Sequence, residues 1–385
     1  IYKDFGLKES SIVKKIEDTT KHDVKSVEYF IKNKIKNNNL LNKYKEHIHI
    51  CCTSEDINNI AYSLMIKEGR DLLIYQANML QRTMKSMGKK YKNIAMLSHT
   101  HGQPASPTTM GKEFINFYRR LDAQIHDLSN IEIKGKFNGA TGNYSAHSVT
   151  YPKVNWPNTM RKFVNSLKLE FNSHTTQIEP HDYIADLCHK INHINSILIG
   201  FSQDIWAYIS KNYFTQKNIK GEIGSSTMPH KINPINFENA EGNLGMSNAI
   251  SNYFSNKLVI SRLQRDLSDS TVLRNIGLVH AYSIVAYKNL TLGLSKLDIN
   301  KQKINDDLDE CWEILAEPIQ MVARKYQISN SYEYLKKYTR GKKVDKEVIE
   351  KIITNLHIPE NEKSRLLELT PRKYIGYANK LCDVK

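Results

Sequence analysis

The sequence predicts an all-α fold, and three observations carry that prediction. Strand-type alternation is scarce along the 385 residues, whereas apolar side chains recur near a 3.6-residue period in segment after segment. Several periodic segments run well past the three or four turns of an average helix. Glycines, prolines and small polar residues gather in the connectors instead of interrupting these segments.

The elements follow in order. Val24–Ile35 places apolar side chains at Val24, Val27, Tyr29, Phe30, Ile31 and Ile35, one face of a helix. Ile57–Met87 reads as one long helix. Ser54 is its expected N-cap, and Glu55 and Asp56 occupy the first turn, where carboxylates suit the positive end of the helix dipole. Gly69 weakens this helix without ending it. Lys112–Ile133 follows, closed by Gly135. Asp182–Lys211 begins after Pro180, and Asn236–Lys257 begins after Pro234, with proline just outside the helix start. Thr271–Leu294 is the last of the long helices. They carry more apolar positions than one intramolecular face needs, so burial in an oligomer is expected. After about Leu297 shorter helices take over, with Lys-rich breaks such as Lys336–Lys346. Domain boundaries are therefore expected near residues 42 and 296. They separate the remainder of an N-terminal helical domain (1–42), a central long-helix bundle (43–296) and a C-terminal helical domain (297–385).

Composition narrows the function. Apolar residues make up 40% and charged residues 25% of the chain, which excludes a mainly disordered protein. With 17 glycines and 5 cysteines the chain is neither collagen-like nor a disulfide scaffold. No run of 18 apolar residues exists, so no membrane-spanning helix is expected, and Ile1–Ser10 lacks the apolar core of a secretion signal. Cys51 and Cys52 are adjacent, while Cys188, Cys311 and Cys382 stand alone. Without a Cys-x-x-Cys pair the expectation is a reduced, cytoplasmic protein with no zinc ribbon. Lys and Arg total 55 against 40 Asp and Glu, a difference of +15. Three readings fit that excess: nucleic-acid binding, steering of a polyanionic small substrate, or Lys and Asn filling surface positions as in Asn33–Lys45. No helix-turn-helix, finger or RNA-binding motif supports the first, so no nucleic-acid partner is expected.

The connectors hold the chemistry. Ser98–Pro107, Gly135–His147 and Gly221–Pro234 read as loops on a helical scaffold, where binding and catalytic groups concentrate. His99 and His101, and His189 and His193, lack the third ligand and acidic context of a metal site, so no metal is expected. The turn Gly102-Gln103-Pro104 holds His101 in place, and an imidazole titrates near neutrality, which suits a general acid or base. Gly224, Ser225 and Ser226 offer backbone N–H groups and two hydroxyls. Lys231 and Asn233 add a cation and an amide just before a helix start, a set suited to carboxylates or oxyanions. Neither the GxxxxGK[ST] phosphate loop nor the GxSxG nucleophile elbow is present. Arg265 and Arg274, with Ser268, Ser270 and Thr271 between them, fit phosphate binding as well as they fit a capped helix start bearing surface arginines.

GSSTMPHKINP (224–234) resembles the signature loop of the fumarase/aspartase superfamily, roughly GSxxMPxKxNP, at every fixed position. HDVKSVEYF (22–30), TSEDINN (53–59), SHTHGQPASPTT (98–109), TTQIEPHDY (175–183) and SDSTVLRN (268–275) resemble the branch of that superfamily whose members act on adenylosuccinate. The resemblance runs from about residue 17 to the C-terminus. Argininosuccinate lyase, which also cleaves a C–N bond to give fumarate, is the nearest alternative.

The resemblance implies an all-α, three-domain fold with a central bundle that packs into a homotetramer. Active sites would be built from loops of three subunits, with no cofactor. It further implies anti β-elimination of fumarate from adenylosuccinate, giving AMP, and from SAICAR, giving AICAR. Ser225 matches the base and His101 the acid. Lys231 and Asn233 match the groups that bind the succinyl carboxylates, and His22 matches a contact of the phosphoribosyl region, beside Asp23. Thr53, Ser54, Gln177, Arg265, Ser270 and Arg274 match further substrate-binding positions, the last three near the phosphate. His49, Glu238 and Thr100 match supporting positions. The resemblance also implies a segment ahead of the position of Ile1 with an Arg-Tyr pair on the phosphate. No counterpart of that pair is found in this sequence, so phosphate binding is expected to need more than these residues.

Overall fold

The computed structural model describes residues 1–341 and 344–384. Lys342 and Lys343, part of the expected Lys-rich break, lie outside the described residues. The protein is helical, and among the described residues strands occur only as two-stranded pairs.

Two helices open the chain, α1 (Leu7–Thr20) and α2 (Asp23–Ile35). Lys21 ends α1 in a left-handed conformation (φ 53°), with its N–H on Glu17 O at 2.7 Å. His22 caps α2: its Nδ1 accepts the Lys25 N–H at 3.3 Å, which leaves the proton of the neutral ring on Nε2. The next long helix, α3 (Ser54–Lys90), has 37 residues. It starts earlier than expected, and Ser54 is its first residue instead of its cap. The capping geometry belongs to Thr53, whose N–H donates to Asp56 Oδ2 at 2.9 Å.

Strands β1 (Ala95–Thr100) and β2 (Gln103–Thr109) form an antiparallel hairpin. This corrects the expectation of a loop over 98–107. Pro104 and Pro107 argue against a strand, but neither needs a second partner in an isolated ribbon. The helices α4 (Met110–Ser129), α5 (Asp182–Ser210) and α6 (Ile235–Lys257) follow, with the pairs β3 (Lys134–Gly135) and β4 (Glu170–Phe171) before α5. β5 (Phe214–Gln216) pairs with β6 (Leu297–Ile299).

The expected single helix Thr271–Leu294 is two helices, α7 (Ser268–Leu273) and α8 (Ile276–Ser295). Asn275 breaks it. Its backbone N–H turns to Val272 O at 3.0 Å, and its side-chain amide takes Thr271 O, the carbonyl a continuous helix would use. The C-terminal part is a run of shorter helices: α9 (Lys301–Asp309), α10 (Ala316–Lys325), α11 (Ser331–Thr339), α12 (Lys346–Thr354) and α13 (Glu360–Leu367).

The chain divides into two compact units, each drawn from three stretches: 1–74, 127–193 and 246–281 form the first, and 75–126, 194–245 and 282–385 the second. Ile60, Ile66, Leu73, Val164, Leu169, Leu187 and Ile191 are among the buried residues of the first. The second buries an aromatic cluster in which Phe114 lies 5.9 Å from Phe201 and 6.2 Å from Phe214, centroid to centroid. Exposed apolar residues remain on the long helices, among them Met65, Leu72, Met246, Tyr253, Val285 and Leu292. No helix among the described residues is long and apolar enough to cross a membrane.

Candidate active site

The first unit contains a cavity of about 410 Å³. His22, Asp23, Thr53, Ser54, Gln177, Arg265, Ser270 and Arg274 all line it, eight residues from four separated stretches of sequence. Each arrives by a local rule. His22 and Asp23 sit at the start of α2, Thr53 and Ser54 at the start of α3, and Ser270 within α7. Helix starts present free N–H groups and a positive dipole end, so an anion is favoured there. Gln177 is tied by its amide to Ala140 O at 3.0 Å.

The α3 start is rigidly held. Asp56 is fully buried and pairs with the equally buried Lys136 at 2.8 Å. The same carboxylate accepts the N–H groups of Thr53, Asn138 and Gly139. Burial lowers the Lys136 pKa, with Asp56 pulling the other way. Arg265 is also anchored. Its Nη1 donates to Asp269 Oδ2 at 3.0 Å, and its Nη2 stands 3.8 Å from Glu55 Oε2. Arg274 is exposed and makes no ion pair among the described residues. Burial pushes the Glu55 carboxyl up to about 7, against the pull of Arg265. Burial also works against the Asp269 carboxylate, but a hydrogen bond from His181 and the charge of Arg265 outweigh it and hold the pKa low.

Sequence reasoning missed Glu17, Lys21, Glu55 and Asn58 in this lining. Lys21 precedes His22 directly, and Glu55 lies inside the TSEDINN segment, so both had a positional signal. Asn58 follows one helical turn after Ser54 and reaches Asp23 Oδ2 at 3.3 Å.

The remaining predicted residues, apart from His49, belong to the second unit. Thr100 pairs with Gln103 across the hairpin, so His101 and Gly102 are its two turn residues. Both have positive φ, 54° and 74°, which makes a type I′ turn and explains the glycine. The turn thereby places His101 at the exposed tip of the hairpin. The signature loop is also exposed. Ser225 Oγ accepts the Met228 N–H at 3.1 Å, and the Asn233 N–H reaches Gly224 O at 3.3 Å. A Cβ on Gly224 would come within 2.5 Å of Lys231 O, so only glycine lets the two arms of the loop approach. Gln216 pins the exit arm through Ile232 O at 2.6 Å. Lys231 is exposed and makes no ion pair among the described residues. Glu238, on α6, accepts the indole N–H of Trp206 at 3.1 Å. His49 lies in the first unit with φ 73° and is not part of the cavity lining. Among the described residues no cluster of three His, Cys, Asp or Glu is placed to hold a metal.

The first unit thus carries helix starts and arginines suited to a phosphate, and the second carries the serine, lysine and asparagine loop that resembles the fumarase/aspartase signature. The comparisons with known proteins agree. Residues 1–248 match the lyase family model, and residues 261–375 match the model of the adenylosuccinate lyase C-terminal region. A fumarate lyase structure from Mesorhizobium sp. BNC1 superposes with a TM-score of 0.79 over 99% of this chain and 86% of that one, at 16% identity. A 3-carboxy-cis,cis-muconate lactonizing enzyme from Pseudomonas putida gives 0.76 over 99% and 84%, also at 16%. These two likenesses establish the fold.

Curated relatives go further. The adenylosuccinate lyase of Buchnera aphidicola subsp. Schizaphis graminum is 54% identical over 384 residues, covering 100% of this chain and 84% of that protein. That of Escherichia coli K12 is 50% identical over 381 residues, covering 98% and 83%. The chain belongs to the adenylosuccinate lyase family.

Proposed function

We propose that this protein releases fumarate from adenylosuccinate, leaving AMP, and from SAICAR, leaving AICAR. It is a C–N lyase of the fumarate-releasing class. The observation that carries the substrate is the cavity of the first unit, where Arg265, Arg274, Ser270 and the α3 start converge with His22 and Gln177. A nucleotide phosphate needs that density of donors, and argininosuccinate has no phosphate to use it.

The residues then take the following roles. Ser225 removes a proton from the succinyl carbon beside a carboxylate. Lys231 and Asn233 hold the dianionic aci-carboxylate that forms. The bond from the adjacent carbon to nitrogen breaks, its electron pair stays on nitrogen, and His101 supplies the proton that nitrogen takes. A serine hydroxyl is too weak an acid to ionise unaided near pH 7. The Met228 N–H already aimed at Ser225 Oγ, the Lys231 cation and exclusion of water on loop closure together favour the alkoxide. The 221–234 loop, exposed between pinned ends, is the element that closes. His49 and Glu238 support the reacting centre, and Thr100 supports His101.

The assembly is a homotetramer whose sites combine loops of different subunits. Apolar residues left exposed on the long helices support this. The proposed domains remain 1–42, 43–296 and 297–385, and the proposed location is the cytoplasm. Parallel assays with adenylosuccinate and argininosuccinate, followed by absorbance and fumarate release, test the substrate. Turnover of adenylosuccinate alone is expected, and it should disappear in His101→Ala. Turnover of argininosuccinate alone would overturn the reading.

A further inference from the structure

Behind Arg265 runs a line of buried polar side chains that the elimination itself does not use. Asp269, on α7, is buried, and its Oδ2 accepts from Arg265 Nη1 at 3.0 Å. The same oxygen lies 3.3 Å from His181 Nε2. His181 is buried and sits in the left-handed region at φ 66°. That unusual backbone is fixed from the other side: its N–H donates to Glu179 Oε2 at 2.8 Å, and its Nδ1 lies 3.7 Å from the same oxygen. Glu179 is buried as well and accepts from Asn172 at 2.9 Å. Carboxyl, imidazole, carboxylate and guanidinium therefore follow one another along Glu179, His181, Asp269 and Arg265. Of the four, only the guanidinium reaches the cavity, where 22% of its side chain is exposed.

We propose that Asp269 and His181, backed by Glu179, are positioning residues that aim the Arg265 guanidinium at the substrate phosphate and keep its charge available. This rests on the reading of Arg265 as a phosphate ligand. Asp269 fixes one edge of the planar guanidinium, so the remaining N–H donors face the cavity in a set direction. A lone buried carboxylate would also neutralise Arg265 and compete with the incoming phosphate. His181 takes up part of that negative charge at the shared oxygen. Glu179 holds the ring in the orientation that does so, through the backbone as much as through Nδ1. Two segments with no other assigned role, PHDY (180–183) and the start of SDSTVLRN, thereby acquire one.

The test uses the intact enzyme and two competitive probes, inorganic phosphate for the phosphate end and succinate for the dicarboxylate end. Asp269→Asn and His181→Leu are expected to raise the inhibition constant for phosphate and the KM for adenylosuccinate roughly tenfold, the size of losing one charge-assisted bond. Succinate inhibition and kcat should stay near wild type. His181→Gln, which keeps an N–H for Asp269, should restore most of the phosphate affinity. If both probes weaken together, or if neither Asp269→Asn nor His181→Leu moves the phosphate constant, the positioning role is wrong. Arg265→Ala separates the two levels: phosphate inhibition unchanged in that variant would remove the reading beneath the proposal. Should Asp269→Asn fail to fold, the contrast between His181→Leu and His181→Gln still decides.

Discussion

Thr53 and Arg265 are held from behind by buried carboxylates, whereas Ser225 and Lys231 stand on a largely exposed loop. In the first region a carboxylate, Asp56, gathers an ammonium and three backbone N–H groups before any ligand arrives. In the second, Ser225 has one backbone donor and Lys231 makes no ion pair among the described residues. The two regions answer different demands. Binding a phosphate rewards donors fixed in advance, because ordering them later would subtract from affinity. Proton removal by a serine rewards a group that becomes reactive only once water has been excluded. On the proposed roles, the contrast teaches that the preset part of this protein recognises substrate and the exposed loop reacts with it.

The contrast can be broken or sharpened by substitution. The largest effect is expected at the base. Ser225→Ala should lower kcat by about 10³-fold, within the range of a lost general base, while KM stays close to wild type. A dead Ser226→Ala beside a near-normal Ser225→Ala would assign the chemistry to the other serine. Next comes the buried pair. Lys136→Met strands the Asp56 charge and should cost about 3–5 kcal/mol in denaturant unfolding. A loss below about 1 kcal/mol would mean that the pocket is not preset by that pair.

Glu55 gives a pH signature. Its folded pKa, about 7, lies above the ordinary value of 4.5. The folded state therefore binds the proton more tightly, and the stability this contributes is complete below pH 4.5 and lost as pH rises through 7. Glu55→Gln should remove the dependence. Relative to wild type the variant should gain on the order of 2–3 kcal/mol between pH 5 and 8. Parallel pH–stability curves would contradict the buried, charged environment assigned to Glu55. The smallest effect is expected at Gly224. Adding a methyl group there pushes on Lys231 O and should lower kcat roughly tenfold, with the unfolding midpoint unchanged. A large stability loss instead would mark the loop as a structural element.

The long helices were legible because their apolar period is local. Asp23–Ile35, Asp182–Ser210 and Ile235–Lys257 lie within one residue of the expected bounds. The eight cavity residues were found through resemblance, since composition and spacing left Arg265 and Arg274 open between phosphate ligand and surface arginine. What escaped depends on partners distant in sequence. His181 meets Asp269 across 88 residues, and Lys136 meets Asp56 across 80, so nothing near His181 or Lys136 announces the charge it answers. The hairpin escaped because its prolines mimic a loop, and the Asn275 break because its cause is one side-chain amide competing for one carbonyl.

The division between a recognising region and a reacting region has one direct test. Arg265→Ala/Arg274→Ala chains retain the loop and His101 but lack the arginines proposed to hold the phosphate, and Ser225→Ala chains retain the pocket but lack the proposed base. Each is prepared separately, and the two are then dissociated, mixed and reassociated at a substrate concentration where neither alone turns over. Activity returning in the mixture, absent from either parent treated alike, is the predicted result, because some sites would then combine an intact pocket from one subunit with an intact loop from another. A mixture as inactive as its parents would contradict the account, placing the pocket and the loop of a single chain in the same site.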